Sequence, residues 1–270
     1  MRTDFASLAP PVRAAVEEHT GPVYAFDCAA SGVNSQLAGV LDTAGGRVFL
    51  KGVLEADAEA DGLQREVDVS PAVHVVSPRL LWQETVDGWR LAAFQAVDGR
   101  HADYSPGSPD LPKLSALQST LAGLACPRVP MFSAWRRWGR FLGNPEDAQL
   151  FAGDSLLHTD PNPSNYLIAE DRAWLVDWAW ATRGAAFIDV ALLLPRLIDA
   201  GHTPVLAEAW AEKLTVWQDA DPATVTLFSR ALARQSQAFA DRFPGDEWRH
   251  GLARAAASWV EHRTSSRAPS

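Results

Sequence analysis

The run His158-Thr-Asp160-Pro-Asn-Pro-Ser-Asn165, followed twelve residues later by Asp177 in Leu-Val-Asp-Trp, constrains this chain more than any other feature. Asn165-Tyr-Leu-Ile-Ala169 and Ala173-Trp-Leu-Val-Asp177 are short apolar runs separated by Glu170-Asp171-Arg172, the pattern of a hairpin. A hairpin returns its second end to its first, so Asn165 and Asp177 are expected side by side. Phosphoryl transfer needs an oriented hydroxyl and neutralised phosphates rather than covalent chemistry. Asp160 suits the first task, because its carboxylate can accept a hydrogen bond from an acceptor hydroxyl and later its proton. Asn165 and Asp177 suit the second, because magnesium (Mg2+) takes oxygen ligands and completes its shell with phosphate and water. Each residue alone is also an ordinary turn former or cap among prolines. The four together at this spacing point to a phosphate-transferring site.

On these motifs the chain resembles the aminoglycoside phosphotransferase and choline kinase-like family, which has the bilobal protein-kinase-like fold. The resemblance runs from about residue 22 to about residue 200 and is strongest over 155–191. It implies an α+β architecture, with a small mainly-β N-terminal lobe and a larger mainly-α C-terminal lobe. A kinase of this fold holds the nucleotide phosphates with a strand lysine paired to a helix acid. Only three lysines occur in the chain, and Lys51 ends the apolar run Arg47-Val-Phe-Leu-Lys51 after a Gly45-Gly46 turn. Its expected partner is Glu66, in a helix-permissive stretch, although acidic residues on a solvated helix face are common and Glu55, Asp57, Glu59 and Asp61 lie nearby. The resemblance places a phosphate-covering turn over Cys28–Ser35, where Ser31 and Gly32 would let backbone N–H groups approach ATP. It places an adenine-binding hinge at Phe94–Val97, with the Gln95 carbonyl and the Val97 N–H as contacts. It also gives Asp189 the role of bracing the catalytic loop, with His158 as a packing and hydrogen-bonding residue. No Gly-x-x-x-x-Gly-Lys-Ser/Thr sequence is present, which excludes a P-loop source of ATP chemistry.

A chain of 270 residues can bury a substantial core in two lobes. Residues 22–94 read mainly as strands with one helix, whereas 111–124, 133–142, 185–218 and 222–262 read mainly as helices. The expected division is 1–97 for the nucleotide lobe with a leading helix near Pro10–His19, 98–263 for the catalytic and acceptor lobe, and 264–270 as a tail. His101–Pro112, rich in Pro, Ser and Gly, reads as the loop entering the second lobe. A formal charge of −9 argues against a nucleic-acid partner or an acidic membrane surface. Arg136, Arg137 and Arg140, interleaved with Trp135, Trp138 and Phe141, suggest an amphipathic helix with a solvated arginine face, a phosphate or protein contact being the alternative. Two cysteines give neither a disulfide framework nor metal-site spacing. Without a leader or a long apolar span in this sequence, a soluble cytoplasmic location is expected. Nothing in it fixes an oligomeric state.

The residues after Asp177 separate the candidate functions. Asp177-Trp-Ala-Trp-Ala-Thr-Arg-Gly-Ala-Ala-Phe-Ile-Asp189 leaves no room for the long activation segment of a protein kinase. The expectation is an ATP-dependent small-molecule kinase acting on a hydroxyl of a metabolite or antibiotic. The alternative is a catalytically silent kinase-like module that binds nucleotide or a partner, since Pro161 stands where family members commonly carry leucine and the 28–35 loop is poor in glycine. Residues 95–270 carry twenty acidic against seventeen basic residues. That modest excess suggests an acceptor of low positive charge and a poor fit for polycationic aminoglycosides. Trp178 and Trp180 either line the acceptor pocket or pack beneath the catalytic loop.

Overall fold

The strand-rich half is built on period-two alternation, and its two faces carry different cores. In the computed structural model, which describes residues 3–29 and 35–265, β1 (Val23–Cys28), β2 (Leu37–Thr43), β3 (Gly46–Leu54), β4 (Leu80–Val86) and β5 (Trp89–Gln95) form one antiparallel sheet in the order β1-β2-β3-β5-β4. Leu50, Leu91 and Ala93 face one side, where α1 (Pro10–Thr20) supplies Val12 and Val16. Val53, Ala92 and Phe94 face the other, where α2 (Ala60–Val73) supplies Ala60, Leu63 and Val67. Lys51 shares the parity of Phe49 and Val53, so the pleat turns it toward α2.

The helical half follows. The two-residue strand β6 (Arg100–His101) pairs with β9 (Tyr166–Ile168), which pairs in turn with β10 (Ala173–Leu175). The segment entering this half is pinned rather than loose, because Arg100 donates two hydrogen bonds of 2.6 Å to Asp110, and Asp110 also accepts from the Asp103 N–H at 2.9 Å. Helix α3 (Leu111–Ala122) leads to β7 (Phe132–Ser133) and the short α4 (Ala134–Gly139). Strand β11 (Thr182–Gly184) pairs parallel with β7 and antiparallel with β8 (Ser155–Leu157). The chain finishes as α5 (Ile188–Asp199), α6 (Pro204–Ala211), α7 (Thr215–Gln218), α8 (Pro222–Arg242) and α9 (Glu247–Ser265). The apolar stretch over 222–262 is thus two helices, broken where Pro244 and Gly245 cannot continue a ladder.

The main core joins both halves. Val69, Val73 and Val76, at and beyond the end of α2, pack with Leu156, Tyr166, Leu175, Trp178, Leu193 and Phe228. Helix α2 therefore serves two cores, and its placement fixes the sheet against the hairpin β9–β10. The Leu175 N–H donates to the Val76 carbonyl at 2.8 Å, adding a backbone bond across the same junction. Among the described residues no helix is long and apolar enough to cross a membrane.

Candidate active site

The predicted hairpin forms, with Leu175 opposite Tyr166 and Ala173 opposite Ile168. The Val176 N–H closes it on the Asn165 carbonyl at 2.9 Å. Lys113 on α3 reaches the turn and donates to the Ala169 and Glu170 carbonyls, each at 2.8 Å. Asn165 and Asp177 both line a cavity of about 160 Å³ with Lys51, Glu66, Gln95 and Val97. Six of the sequence-selected residues thus surround one space between the sheet and the hairpin. Ser31 and Gly32 lie outside the described residues. The Gln95 N–H is taken by the Arg79 carbonyl at 2.8 Å.

Lys51 and Glu66 form a buried pair, with Nζ 2.9 and 2.7 Å from the two carboxylate oxygens. Asp177 Oδ1 stands 3.5 Å from the same ammonium. Burial pulls the Lys51 pKa down, but Asp177 and Glu66 outweigh it and leave it raised. Burial opposes ionisation of Asp177 as well, yet Lys51 and then His158 hold its pKa below the ordinary carboxylate value. Asp177 is consequently an anion beside a cation, turned toward the cavity. Its backbone is left-handed at φ 66°, ψ 71°, a conformation that is uncommon outside glycine and tends to persist where surroundings enforce it.

Thr159 is the second such position, at φ 65°. For a β-branched residue this is a strained conformation, and several bonds hold it. Asp189, in the first turn of α5, accepts from the His158 N–H at 2.7 Å and from the Thr159 N–H at 2.8 Å. Burial pushes the Asp189 pKa up, against the pull of His158 and these two N–H groups. The Thr159 hydroxyl donates to the Trp180 carbonyl at 2.7 Å. Arg137 donates to the Thr159 hydroxyl, to Thr182 Oγ1 at 2.7 Å and to the Trp180 carbonyl at 3.2 Å. The Asp160 N–H lies 3.3 Å from His158 Nδ1, and Nε2 meets the Val176 carbonyl at 3.0 Å. His158 packs edge-on to Trp178, with ring centroids 4.8 Å apart.

The loop so held turns Asp160 into a second, larger cavity of about 730 Å³. Asn165 Nδ2 donates to Asp160 Oδ2 at 2.9 Å and to its carbonyl at 3.2 Å, tying the two cavities together through one carboxylate. Pro161 lines the larger cavity, and its carbonyl accepts from the Tyr104 hydroxyl at 3.4 Å. The two tryptophans divide. Trp178 is 1 % exposed and packs beneath the loop, whereas Trp180 is 42 % exposed, stacks on Phe132 and lines the cavity. The α4 arginines also divide, which corrects the expectation of a solvated face. Arg136 and Arg140 are exposed at the cavity, but Arg137 is drawn into the loop's bonding network, and burial pushes its pKa down to about 10.

The donor set is compatible with magnesium. Among the described residues no group of three His, Cys, Asp or Glu could hold a metal. Asp177 and Asn165 alone would therefore hold it, and phosphate and water would complete the shell, as this ion prefers. Asn165 fits because its amide nitrogen is committed to Asp160, which leaves its carboxamide oxygen as the ligand atom.

No protein-family model matches the chain, and no curated protein matches it either. Solved structures do. Choline kinase LicA from Streptococcus pneumoniae superposes with a TM-score of 0.64 at 11% identity, covering 93% of this chain and 98% of that one. An aminoglycoside phosphotransferase from Alicyclobacillus acidocaldarius gives 0.62 at 16% identity, over 96% and 95%. A thermostable mutant of aminoglycoside phosphotransferase APH(4)-Ia, in a ternary complex with ADP and hygromycin B, gives 0.60 at 15% identity, over 96% and 99%. The chain has the α+β, bilobal, protein-kinase-like fold of the aminoglycoside phosphotransferase and choline kinase-like family.

Two substitutions test the geometry. Lys51→Met leaves Glu66 and Asp177 as facing buried carboxylates, and we expect a loss of about 3 kcal/mol in urea unfolding. Adding Glu66→Leu to Lys51→Met should recover part of that loss, and a double variant less stable than the single would refute the pairing argument. Asp189→Asn keeps the shape but replaces one acceptor oxygen by a donor. It should cost about 1–3 kcal/mol and lower any turnover more than it weakens nucleotide binding, as titration calorimetry would read.

Proposed function

We propose that the chain is an ATP-dependent phosphotransferase acting on a hydroxyl of a small molecule. The observation that carries this reading is the position of Asp160, whose carboxylate faces the larger cavity while Asn165, bonded to its Oδ2, belongs to the smaller one. A phosphoryl group crossing from nucleotide to acceptor has to pass such a junction. The nucleotide-bound and acceptor-bound neighbours, a phosphotransferase with ADP and hygromycin B and LicA with AMP, support the same division.

In this reading Lys51, held by Glu66, presents its ammonium to the nucleotide phosphates. The backbone at Gln95 and Val97 receives the adenine, the Val97 N–H having no hydrogen-bond partner among the described residues. Ser31 and Gly32, outside the described residues, are assigned to phosphate contact by the family resemblance alone. Asn165 and Asp177 hold magnesium, which when bound supplies the charge that neutralises the phosphate oxygens. Asp160 accepts a hydrogen bond from the acceptor hydroxyl and orients its lone pair. Its Oδ2 is fixed by Asn165, leaving Oδ1 for the hydroxyl; as the hydroxyl oxygen bonds to the γ-phosphorus, the bond from that phosphorus to the β–γ bridging oxygen breaks, ADP leaves, and the hydroxyl proton passes to the carboxylate. Asp189 and Arg137 keep the loop in the strained form that aims Asp160. The lobes meet near residue 97, and the protein works in an aqueous compartment, the cytoplasm.

The decisive experiment incubates the protein with magnesium-ATP and a metabolite pool and searches for phosphorylated products by mass spectrometry. Asp160→Asn should keep nucleotide binding and lose about 10²–10⁴-fold in transfer, the usual contribution of a positioned general base. Equal turnover by variant and parent would remove Asp160 from the reaction. Asp177→Asn should abolish the magnesium-dependent part of the thermal shift given by ATP, because the neutral amide no longer offsets dehydration of the ion. A parent protein whose ATP shift ignores magnesium would argue for a silent nucleotide-binding module.

A further inference from the structure

The larger cavity carries a charge opposite to that of the chain. Its wall includes Arg136, Arg137, Arg140, Arg196 and Arg249, and a single carboxylate, Asp160, which is already engaged by Asn165. A polycation entering here would meet five guanidinium groups and no unshared carboxylate. The arginines converge from three helices, α4, α5 and α9, so they are not one helix's solvated face.

Arg196 is the most informative of them. It lies seven residues after Asp189 on α5, two turns further along the face that braces the catalytic loop. It is half-buried, and among the described residues it has neither an ion pair nor a hydrogen-bonded acceptor for its guanidinium. The Trp248 ring lies 5.6 Å away, and Asp160, Tyr104 and Asp199 act on it electrostatically without a direct bond. Burial pushes its pKa down, and the field of Asp160 offsets this only in part. A partly dehydrated guanidinium with no bonded acceptor is costly unless an anion completes it. Arg249 binds Asp246 through Nε at 2.7 Å, which leaves its two terminal nitrogens available. Arg137, by contrast, is committed to Thr159, Trp180 and Thr182 and contributes charge rather than a free fork.

Most of the remaining wall is apolar, with Ser133, Thr159, Gln235 and Ser236 as its uncharged polar residues. Trp180, Phe239 and Trp248 are among the exposed large hydrophobic side chains of the molecule, and all three line this one cavity. At about 730 Å³ the space is within the range of sites for ligands of metabolite or drug size.

We infer that the acceptor is an anionic hydroxyl compound, its carboxylate or phosphate held by Arg196 and Arg249 and its apolar body laid against Trp180, Phe239 and Trp248. This rests on the phosphotransfer reading for the identity of the hydroxyl that reacts. The guanidinium fork matches a carboxylate or phosphate through two parallel hydrogen bonds. With the anion anchored on α5 and α9, the hydroxyl is left at the mouth of the catalytic loop, where Asp160 stands. Aminoglycosides are excluded by the local charge, although the lobe-wide count is slightly acidic.

Tryptophan fluorescence titrations with matched pairs test the inference without turnover. One pair is 3-phenyllactate against 3-phenyllactamide, which reads a carboxylate. Another is glycerol 3-phosphate against glycerol, which reads a phosphate, and kanamycin serves as the cation. At least one anion should bind tenfold or more tightly than its neutral partner, with affinity falling as salt rises. The preference should drop about tenfold in Arg196→Met, and Arg249→Gln, at a more peripheral position, should lower it in the same direction. Equal binding or no millimolar binding within both pairs, tighter binding of kanamycin, or a preference that survives both substitutions would overturn it. The two readings fail separately. Anion-selective binding without acceptor-dependent ADP release would sink phosphotransfer alone, whereas ADP release driven equally by charged and neutral acceptors would sink the anionic acceptor alone.

Discussion

The buried carboxylate of Asp189 is the constraint on which the loop at residues 158–160 depends. Two successive N–H groups, those of His158 and Thr159, can point at one acceptor only if the backbone between them turns sharply, and Thr159 accordingly sits at positive φ. Such a position costs about 1–3 kcal/mol, and it persists because four partners share in holding it. Asp189 takes the N–H, Arg137 and the Trp180 carbonyl take the hydroxyl, and Thr182 completes the cluster at 3.2 Å. The anion is itself unfavourable in this setting, since burial raises its pKa. Its place in the first turn of α5, where the helix dipole favours negative charge, works against that penalty. Strain in the loop and the desolvated charge on the helix each make the other tolerable.

A second buried ionic group joins the two halves of the molecule. Lys51 belongs to the sheet, Glu66 to α2 and Asp177 to the end of the hairpin, and one ammonium lies within 4 Å of both carboxylates. Buried ion pairs contribute little net stability because desolvation offsets attraction. Their value here is geometric. Burial pushes the Glu66 pKa up while Lys51 pulls it down, so the ammonium and the two carboxyl groups hold one another in place at the edge of the smaller cavity. Asp177 at φ 66° is turned toward that cavity by the same backbone that starts the turn Trp178–Trp180. Helix α2 caps this turn through Arg65, whose guanidinium donates to the Ala179 carbonyl.

Local features of this site were legible in the sequence, and assembled ones were not. The hairpin follows from two apolar runs and a polar turn. The facing of Lys51 toward α2 follows from strand parity, and Glu66 stands on the buried face of α2 beside Leu63 and Val67, where an acid needs a partner. The larger cavity is different. Its arginines come from positions 136–140, 196 and 249, and nothing local relates them. Arg137 in particular has the sequence surroundings of a solvated helix face, and only the approach of Thr159 and Thr182 converts it into a buried donor. Trp178 and Trp180 are two residues apart in the same short turn, so composition could not say that one lies under the loop and the other beside the acceptor space.

The charge of the larger cavity shows why summing over a lobe misleads. Residues 95–270 are acidic by three charges, yet the cavity within them gathers five arginines around one carboxylate. At an ionic strength near that of a cell, exposed charges more than about 8 Å apart are largely screened from one another. Exposed carboxylates that do not line the cavity, such as Glu170, Asp171 and Asp219, therefore do little there, whereas guanidinium groups half-removed from water act through a lower dielectric and are felt strongly. What selects a ligand is the charge facing the cavity, weighted by burial. By that measure a chain with a formal charge of −9 presents a positive surface to the larger cavity.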